Sequence, residues 1–208
     1  MIKIMGIVNL TPDSFWAPSR SSIDNSIPRI ASMVADWADM IDLGAVSTRP
    51  GAEDVSVEEE WRRLEPTLKS LADRAVVEQY GLAGVEFSID TTSSAIVRRA
   101  FDTFGRFIVN DISAGEDDPE MLGTVASLGL PYVAMHKRGN PRTMDSKCEY
   151  PTGVVSALKD YFVDFSRKAS EIGVNDWILD PGLGFAKTEA QNWEILENLE
   201  AFAEIGKP

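Results

Sequence analysis

Six times in 208 residues, a short apolar run gives way to a segment of helical period. The apolar runs fall at 2–8, 45–47, 85–89, 106–109, 131–135 and 177–179. Between the first two, Ile27, Ile30, Val34, Trp37 and Ile41 recur at helical spacing, with Gly44 placed as a C-cap. Ser56 and Glu59 form a capping-box pattern before Trp61, Leu64, Leu68 and Leu71, and Pro66 predicts a kink there. Thr92, Asp118 and Thr152 stand as caps of the next three helices, the last carrying Val155, Leu158, Phe162, Phe165 and Ile172. Thr188 and Gln191 open a final helix with Trp193, Leu196 and Leu199 on one face. Alternation of this kind implies a parallel sheet covered by helices. Two architectures fit: an open doubly wound sheet, or a (β/α)8 barrel of which about six βα units are present. No low-complexity linker interrupts the pattern, so residues 1–208 read as one domain.

The balance of charge narrows the partners. Lys and Arg number 20 against 33 Asp and Glu, a net charge of −13. That disfavours nucleic acid and anionic membranes. An anionic substrate would need local help from arginine, backbone N–H groups or a metal ion. No apolar run reaches the ~18–20 residues of a membrane span, and the first residues read as a strand, not a signal peptide. The single cysteine, Cys148, excludes an internal disulfide and points to a reducing cytoplasm. The single histidine, His136, lies twelve residues from it, with no motif joining the two as nucleophile and base.

Polar residues recur where the apolar runs end: Asn9, Thr48, Asp90, Asn110 with Asp111, His136 and Asp180. In parallel α/β folds the carboxyl ends of the strands line the ligand site. Aspartate only accepts hydrogen bonds, whereas asparagine donates and accepts. The set suits a nitrogen-rich heterocycle such as an aminopyrimidinone. A carboxylate site for Mg²⁺ and helix-packing carboxylates are the competing readings.

Three segments carry a resemblance. Residues 5–15 (MGIVNLTPDSF), 47–52 (STRPGA) and 178–185 (ILDPGLGF) resemble the three signatures of dihydropteroate synthases. Ser88-Ile-Asp-Thr91, Val109-Asn-Asp-Ile-Ser113 and Met135-His136 lie between them in family order. The resemblance covers essentially the whole chain. It implies a TIM barrel that condenses hydroxymethyl-dihydropterin pyrophosphate with p-aminobenzoate and releases pyrophosphate. It matches Asp90, Asn110 and Asp180 to pterin contacts, and Asn9 to a residue linked to Mg²⁺ and pyrophosphate. Thr11 and Asp13 fall in the first mobile loop; Thr48, Arg49 and Pro50 fall in the second; Phe185 lies near p-aminobenzoate. Arg49 and Asp90 are the implied catalytic residues. Arg49 steadies pyrophosphate or the benzoate carboxylate, and acidic groups around the ring stabilise the positive methylene left by the departing pyrophosphate. The implied partners are small-molecule substrates, and the implied full-length form is a cytoplasmic homodimer and sulfonamide target. Two side chains are left open: Lys187 is solvated or contacts the nearby loop backbone, and His136 orients pyrophosphate or packs. Asp111 reads as a loop brace.

Departures from the family pattern are local or terminal. Residues 16–20 (WAPSR) stand where the family has Ser-Asp-Gly-Gly, Val46 replaces an acidic residue, and Ala186 replaces a glycine. The family's Ser-Arg-Lys and Arg-x-His segments are absent, so the chain is expected to lack the last two βα units and to be impaired or inactive alone. Two rivals remain. One is a non-catalytic pterin-binding protein. The other is a relative of the corrinoid-linked methyl-folate methyltransferases, which are not expected to carry both the 11–15 and 47–51 loops.

Overall fold

The structure, a computed structural model, describes residues 2–11, 23–46, 55–139 and 143–208. Two compact units divide the chain, the first ending at Asn110 and the second running Asp111–Pro208. The first unit contains β1 (Met5–Asn9), α1 (Ile23–Ala35), β2 (Met40–Gly44), α2 (Val57–Ala72), α3 (Arg74–Gln79), β3 (Glu86–Asp90) and α4 (Ser94–Phe104). β4 (Ile108–Asp111) follows, its first three residues in this unit. These four strands are parallel and lie in sequence order. The register aligns their carboxyl ends in one row: Asn9 with Gly44, Gly44 with Asp90, and Asp90 with Asn110. Val8, Ile41, Leu43, Ile89 and Val109 from the strands are buried with Ile30, Leu64, Leu68 and Ile96 from the helices. Each such side chain contributes about 1.5–3 kcal/mol on leaving water.

The largest departure from expectation lies in this unit. The helical spacing through Ile41 is false: α1 stops at Ala35, and Ile41 and Gly44 belong to β2. Trp37 ends the helix by taking φ 74°, with Trp37 N–H donating to Val34 O and Ala38 N–H to Met33 O. That is a Schellman motif with a tryptophan in the left-handed position. Every residue of β2 is buried, as a strand covered on both faces requires. Its apolar residues therefore continue the helical pattern by coincidence. β1 also starts later than expected, leaving Ile2 and Ile4 exposed.

Local signals match the structure more closely. Ser56 caps α2 by accepting from Glu59 N–H. The Glu59 carboxylate pairs with Arg62 and Arg63 instead of completing the box. Pro66 sits inside α2 without ending it. α4 is capped at Ser93, one residue beyond Thr92, with no side-chain bond.

The second unit contains α5 (Met121–Leu128), β5 (Tyr132–Met135), α6 (Val154–Ile172), β6 (Trp177–Asp180) and α7 (Glu189–Glu197). β5 and β6 pair in parallel. Aromatic rings fill its core: Trp177 meets Phe165 edge-on at 4.9 Å and lies along Phe162 at 6.4 Å, and Tyr132 stacks on Phe165. α5 begins at Met121 and α6 at Val154, each slightly beyond the expected cap. α7 has both halves of its capping box, Thr188 and Gln191. Its expected apolar face is not the buried one: Ile195 is buried, whereas Trp193, Leu196 and Leu199 are exposed.

Candidate functional site

In the first unit the site is built from two polar rows on the β1–β4 strands. The outer row is Asn9, Gly44, Asp90 and Asn110. Gly44 opens it: a Cβ there would stand 3.4 Å from Asn9 Oδ1 and 3.4 Å from Asp90 Oδ2. The missing side chain thus leaves a cradle flanked by an amide oxygen and a carboxylate oxygen. One pleat period inward lies Asp42, which the register places beside Ser88. Ser88 Oγ donates to Asp42 Oδ1 at 2.5 Å, and Asn110 Nδ2 donates to the same oxygen at 3.3 Å. Burial pushes the Asp42 carboxyl above its ordinary range, and the two donors partly offset that. The sequence hides Asp42, because the helical spacing runs on through Ile41 and assigns it to a helix. Alternation about Ile41 and Leu43 is the signal that reveals it.

The carboxyl end of β6 organises the second unit. Asp180 Oδ1 accepts from Gly182 N–H at 2.8 Å, turning the chain sharply after the strand. Burial raises the Asp180 carboxyl; the Gly182 bond and the charge of Lys187 act against it. Gly182 takes φ 65°, and a Cβ there would fall 2.2 Å from His136 O, so the position demands glycine. Lys187 is buried inside this loop. Its ammonium donates to Gly182 O at 3.0 Å and Phe185 O at 2.9 Å, and lies 3.1 Å from His136 Nδ1. An ammonium only donates, so His136 Nδ1 is the acceptor and the ring is neutral with its proton on Nε2. Desolvation, then the charge of Lys187, lower the His136 pKa to about 3. Desolvation holds Lys187 at about 8. His136 is therefore a packed, neutral ring, edge-on to Tyr161 at 4.8 Å, and Lys187 is the contact to the loop backbone.

The loop after β5 is strapped to the loop after β6. Tyr150 Oη donates to Ala186 O at 3.1 Å, and Gln191 Nε2 to Cys148 O at 2.8 Å. Arg138 covers the Tyr150 ring at 4.9 Å. Asp111 is a brace, as its position suggests. It accepts from Ser113 N–H and Oγ, Gly115 N–H and Tyr132 Oη, all within 2.6–2.9 Å.

Asn9, Asp90 and Asn110 are thus brought into one row of the first unit. Asp180 and Phe185 share the β6 loop of the second, with Phe185 half-buried. Thr11 lies two residues past β1. Asp13, Thr48, Arg49 and Pro50 lie outside the described residues, as does the altered stretch 16–20. Among the described residues no three His, Cys, Asp or Glu cluster as a metal site, and no helix is long and apolar enough to cross a membrane.

Comparison with known proteins places this geometry. Residues 5–208 match the family model for pterin binding enzymes. The dihydropteroate synthase of Synechocystis sp. is 38% identical over 99% of the chain and 68% of its own length. The mitochondrial folate synthesis bifunctional protein of Arabidopsis thaliana is 38% identical over 97% of the chain, which spans only 36% of that protein. The dihydropteroate synthase of Thermus thermophilus, solved in complex with 4-aminobenzoate, superposes with a TM-score of 0.80 at 35% identity. The match covers 100% of this chain and 71% of that one. The six parallel strands alternating with helices are those of the TIM-barrel enzymes of this group, not of an open doubly wound sheet. The chain belongs to the dihydropteroate synthase family of pterin binding enzymes.

Proposed function

We propose that the protein acts as a dihydropteroate synthase, condensing 6-hydroxymethyl-7,8-dihydropterin pyrophosphate with p-aminobenzoate to give dihydropteroate and pyrophosphate. The observation that carries this reading is the row Asn9–Gly44–Asp90–Asn110, an oxygen-rich edge open at a glycine, in a chain of that family. Asp90, Asn110 and Asp180 hold the pterin, whose ring N–H and amino groups need acceptors. Phe185 and Thr11 contact p-aminobenzoate, with Asp13, Thr48, Arg49 and Pro50 from the two loops. The pterin methylene loses its bond to the pyrophosphate oxygen, and the electron pair leaves with that group. The arylamine nitrogen then forms the new C–N bond and sheds a proton. Asp90 acts by its fixed negative charge beside the methylene, which is electrostatic preorganisation, and no covalent enzyme intermediate is required. Arg49 offsets the anionic charge of the substrates.

Mg²⁺ fits the residues present. It takes few protein oxygens and keeps waters and substrate phosphates, and Asn9 Oδ1 and Asp90 Oδ2 flank the Gly44 cradle. Asn9 would hold it, and bound there it would neutralise the leaving pyrophosphate. Homodimerisation and a cytoplasmic location belong to the same reading.

The test is formation of dihydropteroate from the two substrates with Mg²⁺ by a form that joins this chain to the family's Ser-Arg-Lys and Arg-x-His segments. Asn110→Ala and Asp90→Asn are each expected to lower kcat/KM at least about a hundredfold, the order seen when a preorganised electrostatic group is removed. Pterin binding without turnover in a form that also carries the family's Ser-Arg-Lys and Arg-x-His segments would replace this reading with a non-catalytic one.

A further inference from the structure

Asp42 sits one pleat period below the outer row of the first unit, 5% exposed, and takes no place in the functional reading so far. It is a carboxylate in the middle of a fully buried strand, where an apolar residue would cost less. Its two hydrogen bonds run to other strands: to Ser88 on β3, and beyond it to Asn110 on β4. A planar carboxamide is free to present either its oxygen or its nitrogen to a ligand. The bond from Nδ2 to Asp42 removes that freedom. It commits one amide hydrogen inward, so Oδ1 and the second N–H keep fixed places on the ligand side. A flipped amide would set two oxygens, Oδ1 of Asn110 and Oδ1 of Asp42, against each other.

We propose that Asp42 is a positioning residue that locks the carboxamide of Asn110, and so fixes which edge of a nitrogen heterocycle the row accepts. The inference rests on the pterin-binding reading above and adds to it the residue that sets hydrogen-bond polarity. Ser88 completes the device. Its hydroxyl donates to the oxygen that Asn110 uses, so Asp42 is held from one side while it holds Asn110 from the other.

A double-mutant cycle tests it, with pteroic acid titrated calorimetrically into wild type, Asp42→Ala, Asn110→Ala and the double variant. Asp42→Ala is expected to weaken binding about tenfold in the wild-type background and less than about twofold when residue 110 is already alanine. Asp42→Asn, which keeps an acceptor oxygen, is expected to restore affinity to within about threefold of wild type. A residue that only supports the fold would give equal losses in both backgrounds and no such rescue, and that result overturns the inference. Should Asp42→Ala fail to fold, Ser88→Ala is run through the same cycle, with about a threefold loss expected only when Asn110 is present. Wild type that binds no pteroic acid would overturn the functional reading itself, whereas binding with additive losses overturns the inference alone.

Discussion

At the scale of the residue, two side chains near β6 carry the sharpest consequences. His136 is the only histidine, so its imidazole signals in an NMR spectrum need no assignment. With its folded pKa at about 3, it stays neutral as the Nε2–H form throughout the neutral range. The unfolded ring binds a proton near about pH 6.5. Between about pH 6.5 and 3 the unfolded state therefore holds more protons, and stability falls as the pH drops through that window. Lys187→Met removes a neighbouring charge and three bonds to backbone carbonyls. The His136 titration then moves up, while burial, the larger cause, still holds it below its ordinary value, and stability falls by about 2–4 kcal/mol. An unchanged titration would contradict the contact. Ala186 is the second case. It takes φ 50° while buried, a conformation that costs an L-residue about 1–2 kcal/mol, and it stands where the family carries glycine. After glycine's greater loss of chain entropy, Ala186→Gly is expected to raise stability by about 0.5–1 kcal/mol in urea denaturation.

Among the elements, strand ends decide the chemistry and caps decide the boundaries. Gly182→Ala would press a methyl group into the His136 carbonyl in a left-handed turn. It is expected to cost about 3 kcal/mol or more, as an overpacked and strained site does, and, on the role proposed for Asp180, to abolish pterin binding. Thr188→Ala removes one half of an intact capping box and is expected to cost about 1 kcal/mol without changing pterin affinity.

What the sequence shows and hides follows from the range of each interaction. The Thr188 box, the Asp111 brace and the ends of β3 to β6 are legible because strand ends and caps depend on neighbours within a few residues. β2 is misplaced because Met40, Ile41 and Leu43 continue the apolar spacing of α1, and only the left-handed turn at Trp37 breaks it. A tryptophan gives no hint of such a turn. Asp42 with Asn110 and Lys187 with His136 are hidden for another reason. These partners are 68 and 51 residues apart, and no local period encodes which strands become neighbours.

For the molecule as a whole, the proposed function asks a chain of net charge −13 to accept an anionic pyrophosphate. Long-range repulsion is screened by salt within roughly 10 Å at 0.1 M. The association rate of the pterin pyrophosphate is therefore expected to rise about twofold between about 0.05 and 0.2 M ionic strength in stopped-flow mixing. A steep fall instead would mean that local positive groups such as Arg49 govern approach. Whether the oxygen-rich row reads a pterin is measured by calorimetric titration with 6-hydroxymethyl-7,8-dihydropterin pyrophosphate, with and without Mg²⁺. A single site is expected, tighter with Mg²⁺ and weakened at least about tenfold by Asp90→Asn or Asn110→Ala. Absence of binding, or equal binding by those two variants and wild type, would contradict that role of the row.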